Sequence, residues 1–223
     1  MENGQIVSQP KISICIPTYI RADLLVKTLF SVSKQTVKPY EVIVIDNCSD
    51  DDTETVVRKF GDVMYYRNEQ NLGLVGNWNR CIDLARGEFL TILHSDDLIS
   101  PYWCQSWMPI ITQYKNSNIG AFFCDLFTID LDENAKIFYR IMAKERLLKK
   151  IENIDILWKH DLYGTPVSGG LIIRKSVFEK IGKFEEKYKT ETDVLTILRL
   201  LNQFSVYYLP KHLFAYRVHP FQT

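Results

Sequence analysis

The sequence predicts an α/β fold whose parallel sheet is covered by helices on both faces, at least through residue 127. Three observations carry this. Short runs such as Lys11–Pro17 and Glu41–Asp46 are apolar without the in-out alternation of a half-exposed sheet, so both faces of these strands are buried. Between them lie stretches with a 3.6-residue apolar period. The two kinds of segment alternate regularly, which is the pattern of repeated strand-helix-strand units.

Taken in order, Lys11–Pro17 is a β-branched run stopped by a proline. From Asp23 to Gln35, Leu24, Leu25, Thr28, Leu29 and Val32 form one helical face. Glu41–Asp46 is the second strand. Ser49-Asp50-Asp51-Asp52 then offers a serine with an acid three residues on, a helix start that reaches about Phe60. Val63–Arg67 is the third strand. A turn over Asn71–Leu74 leads to a helix over Gly76–Arg86, for which Gly87 is the expected C′ residue. Glu88–Leu93 is the fourth strand and runs into His94-Ser95-Asp96-Asp97. Ser100-Pro101 reads as a cap with proline in the first helical position, opening a helix towards Lys115.

The second half has a different texture. Ala121–Ile129 and Lys136–Ile141 flank the turn residues Asp130–Asn134, as in a hairpin. Arg140 to Lys150 carries five basic residues against Glu145, which reads either as a solvated helix face or as a contact with a membrane surface. Gly164–Gly170 is a glycine-rich loop before the strand Leu171–Arg174. A helix stopped by Gly182, a helix over Asp193–Leu201 and two strand-like runs (Val206–Pro210 and Leu213–Val218) complete the chain. No linker separates the halves, so residues 1–223 are expected to form one unit.

Composition excludes several classes. Of 223 residues, 46% are hydrophobic, enough for a sizeable core. The 27 basic and 27 acidic side chains cancel, unlike the basic excess of a nucleic-acid binder. No apolar run approaches the roughly 18 residues that cross a bilayer. The first residues have neither a basic nor an apolar signal region, so a cytoplasmic location is expected. Five scattered cysteines without a C-x-x-C pair suit reduced thiols.

In an open α/β sheet, ligands gather beyond the carboxyl ends of the strands. The predicted strands deliver Pro17-Thr18-Tyr19, Asp46 and Asp96-Asp97 to that edge. Neither G-x-G-x-x-G after the first strand nor a P-loop is present, so an anionic nucleotide would be gripped without a glycine cradle. Such a site needs a divalent cation, and Asp96 and Asp97 are hard oxygen ligands suited to Mg²⁺ or Mn²⁺.

The segments Ile12–Thr36, Glu41–Thr53, Asn71–Asp97, Gly170–Glu186, Thr192–Leu200 and Tyr216–Pro220 together resemble the family-2 glycosyltransferases, from about Lys11 to Pro220. The resemblance implies the GT-A fold: a Rossmann-like, mostly parallel central sheet flanked by helices, with a smaller mixed-sheet region on the acceptor side. It implies a nucleotide-sugar half over about 11–127 and an acceptor half over about 128–223. Thr18 and Tyr19 match residues flanking the base, with Pro17, Arg21 and Ser49 beside them. Asp46 matches the acid that pairs with uracil; on its own it reads first as an aspartate capping the next turn. Asn71, Gly73 and Asn79 match ribose and base contacts, where the chain has Asn77-Trp78 in place of a common Ala-Arg.

His94-Ser95-Asp96 matches the D-x-D signature with histidine for its first acid, and Asp96 and Asp97 are its metal ligands. His219 matches a position beside the diphosphate and its metal. Asp193 matches the general base, with Thr192 in place of the acid before it, Glu191 as a substitute and Arg199 six residues on; alone, Asp193 is an ordinary acid at a helix start. Gly169 and Gly170 fall on the acceptor side. The expected activity is inverting, metal-assisted transfer from a nucleotide-sugar, with UDP the expected nucleotide, to a glycan or lipid-linked saccharide of the cell envelope. A sugar nucleotidyltransferase and a non-catalytic nucleotide-sugar-binding module are the alternatives.

Overall fold

The computed structural model describes residues 9–139, 144–148, 169–188 and 191–220. In chain order the elements are β1 (Ile12–Thr18), α1 (Ala22–Ser33), β2 (Glu41–Asp46), α2 (Thr53–Val57), β3 (Val63–Arg67), α3 (Gly73–Leu84), β4 (Phe89–Ile92) and β5 (Leu98–Ile99). There follow α4 (Trp103–Gln113), β6 (Ile119–Ile129), β7 (Ala135–Tyr139), β8 (Arg146–Leu148), β9 (Leu171–Arg174), α5 (Val177–Ile181), a 3₁₀ turn (Glu186–Tyr188), α6 (Thr192–Gln203) and β10 (Ser205–Arg217).

One continuous sheet runs β3-β2-β1-β4-β9-β6-β10-β5, with β7 paired to β6 and β8 to β10. Strands β1 to β4 are parallel to one another. Strand β9 is antiparallel to both β4 and β6, so β6 runs with β4; β10 is in turn parallel to β6. The carboxyl ends of β1, β2, β3, β4, β6 and β10 therefore share one edge, the place where an open α/β sheet binds ligands.

The unbroken hydrophobicity of the strands now has its reason. Ile12, Ile14 and Ile16 of β1, and Val42 and Val44 of β2, pack with Leu25, Leu29, Trp103 and Trp107 on one face. Cys15, Ile43 and Ile45 point the other way, into a second core with Trp78, Cys81, Phe178 and Leu200. Side chains alternate across a strand, and here both destinations are dry. All five cysteines are free thiols, and burial pushes Cys104 and Cys124 up to about 12, so these two stay protonated.

Several local expectations are corrected. Gly87 is not a helix C′ residue: α3 ends with Ala85 in an extended conformation. Gly87 is needed because a Cβ there would lie 2.6 Å from Ser13 Oγ and 2.7 Å from the Lys11 carbonyl oxygen. The cap at Ser49–Asp52 works differently too. Asp52 makes no side-chain cap, and Asp51 instead accepts the Thr53 N–H at 3.1 Å. Helix α4 starts at Trp103 with Tyr102 as its cap, so Pro101 precedes the helix. The final two runs are one 13-residue strand, bent by register shifts around His212. Of the basic stretch, Arg146–Leu148 is a strand edge on β10 and not a helix face; Arg140, Lys149 and Lys150, like 164–168 of the glycine-rich loop, lie outside the described residues. The hairpin of β6 and β7 and the stop at Gly182 (φ +80°) match expectation.

At the edge opposite the site, the buried Glu41 carboxylate accepts hydrogen bonds from Ser13 Oγ (2.6 Å), Arg86 N (2.6 Å) and Arg86 Nε (2.7 Å). Burial alone would raise its pKa, but the Ser13 hydroxyl and the two Arg86 donors outweigh it and hold Glu41 below its ordinary value. A depressed carboxyl stabilises the fold above its unfolded pKa and loses that contribution as pH falls through the folded one. Glu41→Gln should therefore cost about 1–3 kcal/mol at neutral pH, and urea denaturation should show the difference from wild type shrinking below about pH 4.

Candidate active site

The loops at the carboxyl edge hold one another in place. After β1, Ile20 takes φ +46°, a strained value for a β-branched residue. The β2–α2 loop enforces it: Ser49 Oγ accepts the Ile20 N–H at 2.9 Å, and Asp51 Oδ2 accepts the Ala22 N–H at 2.9 Å. Burial works to raise the Asp51 pKa, but hydrogen bonds from Thr53 and Ala22 prevail and lower it, so the carboxylate stays charged at the start of α1. Between these two straps sits Arg21.

Arg21 Nη1 reaches Asp96 Oδ2 at 2.5 Å, and His219 Nε2 lies 3.1 Å from the same oxygen. Asp97 is buried. Its Oδ1 accepts the Arg217 N–H at 2.9 Å, while Oδ2 is sealed from solvent without a hydrogen-bond partner. Burial, reinforced by the adjacent Asp96 charge, pushes the Asp97 carboxyl well above the ordinary range despite Arg217 and Arg21. His94 stacks on Trp78, with ring centroids 5.4 Å apart, and its Nε2 is also buried and unpartnered. Burial lowers the His94 pKa and keeps the ring neutral, the form that ligates metals.

His94, Asp96 and Asp97 each offer a ligand atom within 4.8 Å of the others. Two buried polar atoms, Asp97 Oδ2 and His94 Nε2, lack hydrogen-bond partners in a set of two carboxylates and an imidazole. That donor set fits Mg²⁺ or Mn²⁺.

The expected nucleotide residues sit around this cluster in different ways. Thr18 is buried at the end of β1 with its hydroxyl unpartnered, next to buried Pro17 and exposed Tyr19. Asp46 accepts the Tyr65 hydroxyl at 2.6 Å and the Ser49 N–H at 3.0 Å, so in this structure it serves as the turn cap. Asn71 closes the entry to α3 by accepting the Gly73 N–H at 2.8 Å. Ser95 is buried beside Asp96.

Asn79 stands apart from the others. Its amide makes two hydrogen bonds with the backbone of Phe184, at 3.0 and 3.1 Å, which staples α3 to the segment leading into α6. Gly169 and Gly170 are packed against Phe214, and their carbonyls accept Trp103 Nε1 and Cys124 N. At the start of α6, Asp193 Oδ1 accepts the Val194 N–H at 2.8 Å; burial, then the neighbouring Glu191 charge, raises its pKa. Glu191 is the N-cap residue of α6.

Two sets of residues escaped the sequence reading. Asn47, Asn68 and Asn77 form a buried amide chain with Asn71: Asn68 donates to both Asn47 and Asn77, Asn47 donates to Asn71, and Asn77 donates to the Ile45 carbonyl. This chain seats the turn at residues 71–73. The second is Arg217, fully buried, whose Nε donates to the Asp96 carbonyl at 2.7 Å and whose Nη1 donates to the Asp130 carbonyl at 3.0 Å. The cluster of asparagines in the sequence was a usable signal for the first set. For Arg217 the run Tyr216–Pro220 directed attention to the histidine alone.

A model of glycosyl transferase family 2 matches residues 13–182. The chain belongs to this family. It is 30% identical over 214 residues to an uncharacterised glycosyltransferase of Rickettsia typhi, covering 96% of this chain and 66% of the relative. It is 31% identical over 216 residues to the GalNAc(5)-diNAcBac-PP-undecaprenol beta-1,3-glucosyltransferase of Campylobacter jejuni, covering 94% and 65%. Among solved structures it resembles Staphylococcus aureus TarS 1–349 in complex with UDP-GlcNAc, with a TM-score of 0.76 at 20% identity over 95% of this chain and 60% of that one. The fold is thus the expected GT-A fold. The chain spans about two thirds of the length of these relatives.

Arg217→Gln should destabilise the family-2 domain by about 2–4 kcal/mol, since it strips buried carbonyls of a charged donor. Arg217→Lys should recover only part of this, because a point charge cannot reach Asp96 and Asp130 together. Guanidinium melts of the two variants test the ranking.

Proposed function

We propose that the chain is the donor-binding and catalytic part of an inverting glycosyltransferase. It moves a sugar from a UDP-sugar to a saccharide or lipid-linked saccharide of the cell surface. The observation that carries this reading is the cluster of His94, Asp96 and Asp97, with its buried unpartnered ligand atoms, at the carboxyl edge of a family-2 domain. The complex of TarS with UDP-GlcNAc supports a UDP-sugar donor, and the undecaprenol-linked substrate in the name of the Campylobacter relative supports a lipid-linked acceptor.

Asp96 and Asp97 would hold Mn²⁺ or Mg²⁺, with His219 against Asp96 and His94 at the rim. When bound, the cation supplies positive charge for the departing diphosphate. Thr18, Tyr19 and Asp46 receive the nucleotide base, with Asp46 exchanging a present partner for it; Asn71 and Gly73 face the ribose.

Asp193 is the general base. Its raised pKa gives a carboxylate with more affinity for a proton than an exposed aspartate has, which suits it to take the acceptor hydroxyl proton. As that O–H bond breaks, the acceptor oxygen bonds to the anomeric carbon. The bond from that carbon to the phosphate oxygen breaks, and its electron pair leaves with the nucleoside diphosphate. A single displacement of this kind inverts the anomeric centre. Asn79 keeps the base in range by holding Phe184, whose neighbour Glu185 donates its N–H to Thr192 Oγ1 at 2.8 Å.

No helix of the described residues is long and apolar enough to cross a membrane. The enzyme works at the cytoplasmic face of the membrane, and basic residues near β8 contact its surface; loss of liposome binding on charge reversal at Lys144 and Arg146 tests this.

Two measurements check the reaction. A thermal-shift panel of UDP, GDP, CMP and dTDP with Mn²⁺ should respond to UDP. At one hundred times its Kd a ligand adds about 2.7 kcal/mol, and Asp96→Ala should abolish the response. No response to any nucleotide would favour a binding module that has lost its donor. Asp193→Asn should lower turnover by about 10² to 10⁴ without abolishing the UDP shift. Because the base must be deprotonated and its pKa is raised, the acid limb of the wild-type kcat profile should lie above the ordinary aspartate value of about 3.9.

A further inference from the structure

We infer that Arg21 is a resident counter-ion of Asp96 that competes with the divalent cation, so that cation loading is coupled to the arrival of an anionic donor. The inference rests on the reading that this site takes a cation and a diphosphate, and it concerns what holds the site before either is bound.

The ligand atoms of the cluster are unevenly available. Asp97 Oδ2 and His94 Nε2 are buried and unpartnered. Asp96, the third contributor, has its Oδ2 taken: the Arg21 guanidinium is 2.5 Å away and the His219 ring 3.1 Å away. A cation entering at this oxygen would meet a fixed positive charge within a few ångströms, in a place where the Asp96 side chain is only 9% exposed and water screens little. The guanidinium and the cation therefore compete for one carboxylate.

The backbone at Arg21 is held while its tip is not sealed in. Ser49 and Asp51 fix the N–H groups on either side, at Ile20 and Ala22, and Ile20 stays at φ +46°. The Arg21 side chain is 23% exposed, at the sheet edge where an incoming diphosphate would lie. A long side chain on a fixed Cα can change partners without moving a loop. Its planar fork is suited to phosphate oxygens. A diphosphate that takes the guanidinium releases Asp96 to the cation, and by linkage the cation then strengthens diphosphate binding to the same degree. The charge that opposes the cation in the empty site becomes a donor contact in the loaded one.

The test measures Mn²⁺ binding directly, from the electron paramagnetic resonance signal of the free aquo ion, with and without UDP. The proteins are wild type, Arg21→Gln, Arg21→Met and Asp96→Asn, each first shown to melt cooperatively. Without nucleotide, Arg21→Gln and Arg21→Met should bind Mn²⁺ at least tenfold more tightly than wild type. UDP should strengthen Mn²⁺ binding in wild type by a larger factor than in either variant, and Asp96→Asn should bind weakly throughout. Equal or weaker binding by both Arg21 variants overturns the inference while leaving the cation site intact. Tighter Mn²⁺ binding by the variants with no effect of UDP on any protein sustains the competition but overturns its coupling to the donor, along with the UDP reading. Absence of Mn²⁺ binding in every protein overturns both the inference and the cation site.

Discussion

Everything at the working edge depends on a guanidinium buried in the middle of it. Arg217 ends β10, and from there it donates to the Asp96 carbonyl beyond β4 and the Asp130 carbonyl beyond β6, while its own N–H goes to Asp97. Three strand ends that are far apart in the chain are tied through one side chain. Burying this charge is unfavourable unless every partner is in place, and that all-or-none condition gives the acidic segment a single geometry.

Around this tie the molecule separates what is rigid from what exchanges. The asparagine chain and the Asn79 clamp are neutral amide contacts among buried groups, suited to holding turns still. Other buried groups are left unsatisfied: an orphaned carboxylate oxygen on Asp97 and an orphaned ring nitrogen on His94. Such groups cost stability, and a fold keeps them where a ligand offsets that cost. Trp78 belongs to both sets. It stacks on His94 and meets Phe184 edge-on at 5.3 Å, so the same ring links the acidic cluster to the segment that leads into α6.

The departures from the family pattern fit this division. His94 stands where the family resemblance leads one to expect an acid, and its ring stacks on Trp78, which stands where that resemblance leads one to expect arginine. The two changes lie against each other in space, although sixteen positions separate them in the chain. Thr192 in place of an acid is likewise a structural choice: its hydroxyl accepts the Glu185 N–H, and Glu185 pairs with Arg199 two turns along α6.

The amino-acid sequence by itself determined the strands β1 to β4, because dryness on both faces writes an unbroken apolar run that no helix of the same length needs. It also determined which loops meet at the carboxyl edge, since a parallel alternation of strands and helices allows few arrangements, and it supplied Asp96, Asp97 and Asp193 as candidates. Tertiary structure decided the rest, where contacts are long-range. Gly87 is a glycine because Ser13 and Lys11 of another strand crowd it, and Asp51 caps a helix that precedes it in the chain by twenty-nine residues. Arg217 looked like a bystander beside His219, because a lone arginine carries no spacing signal; only its burial shows what it holds. Propensity and period are local quantities. The arrangement at Asp96 is set by charges brought together from positions 21, 96 and 219, and no local pattern encodes that.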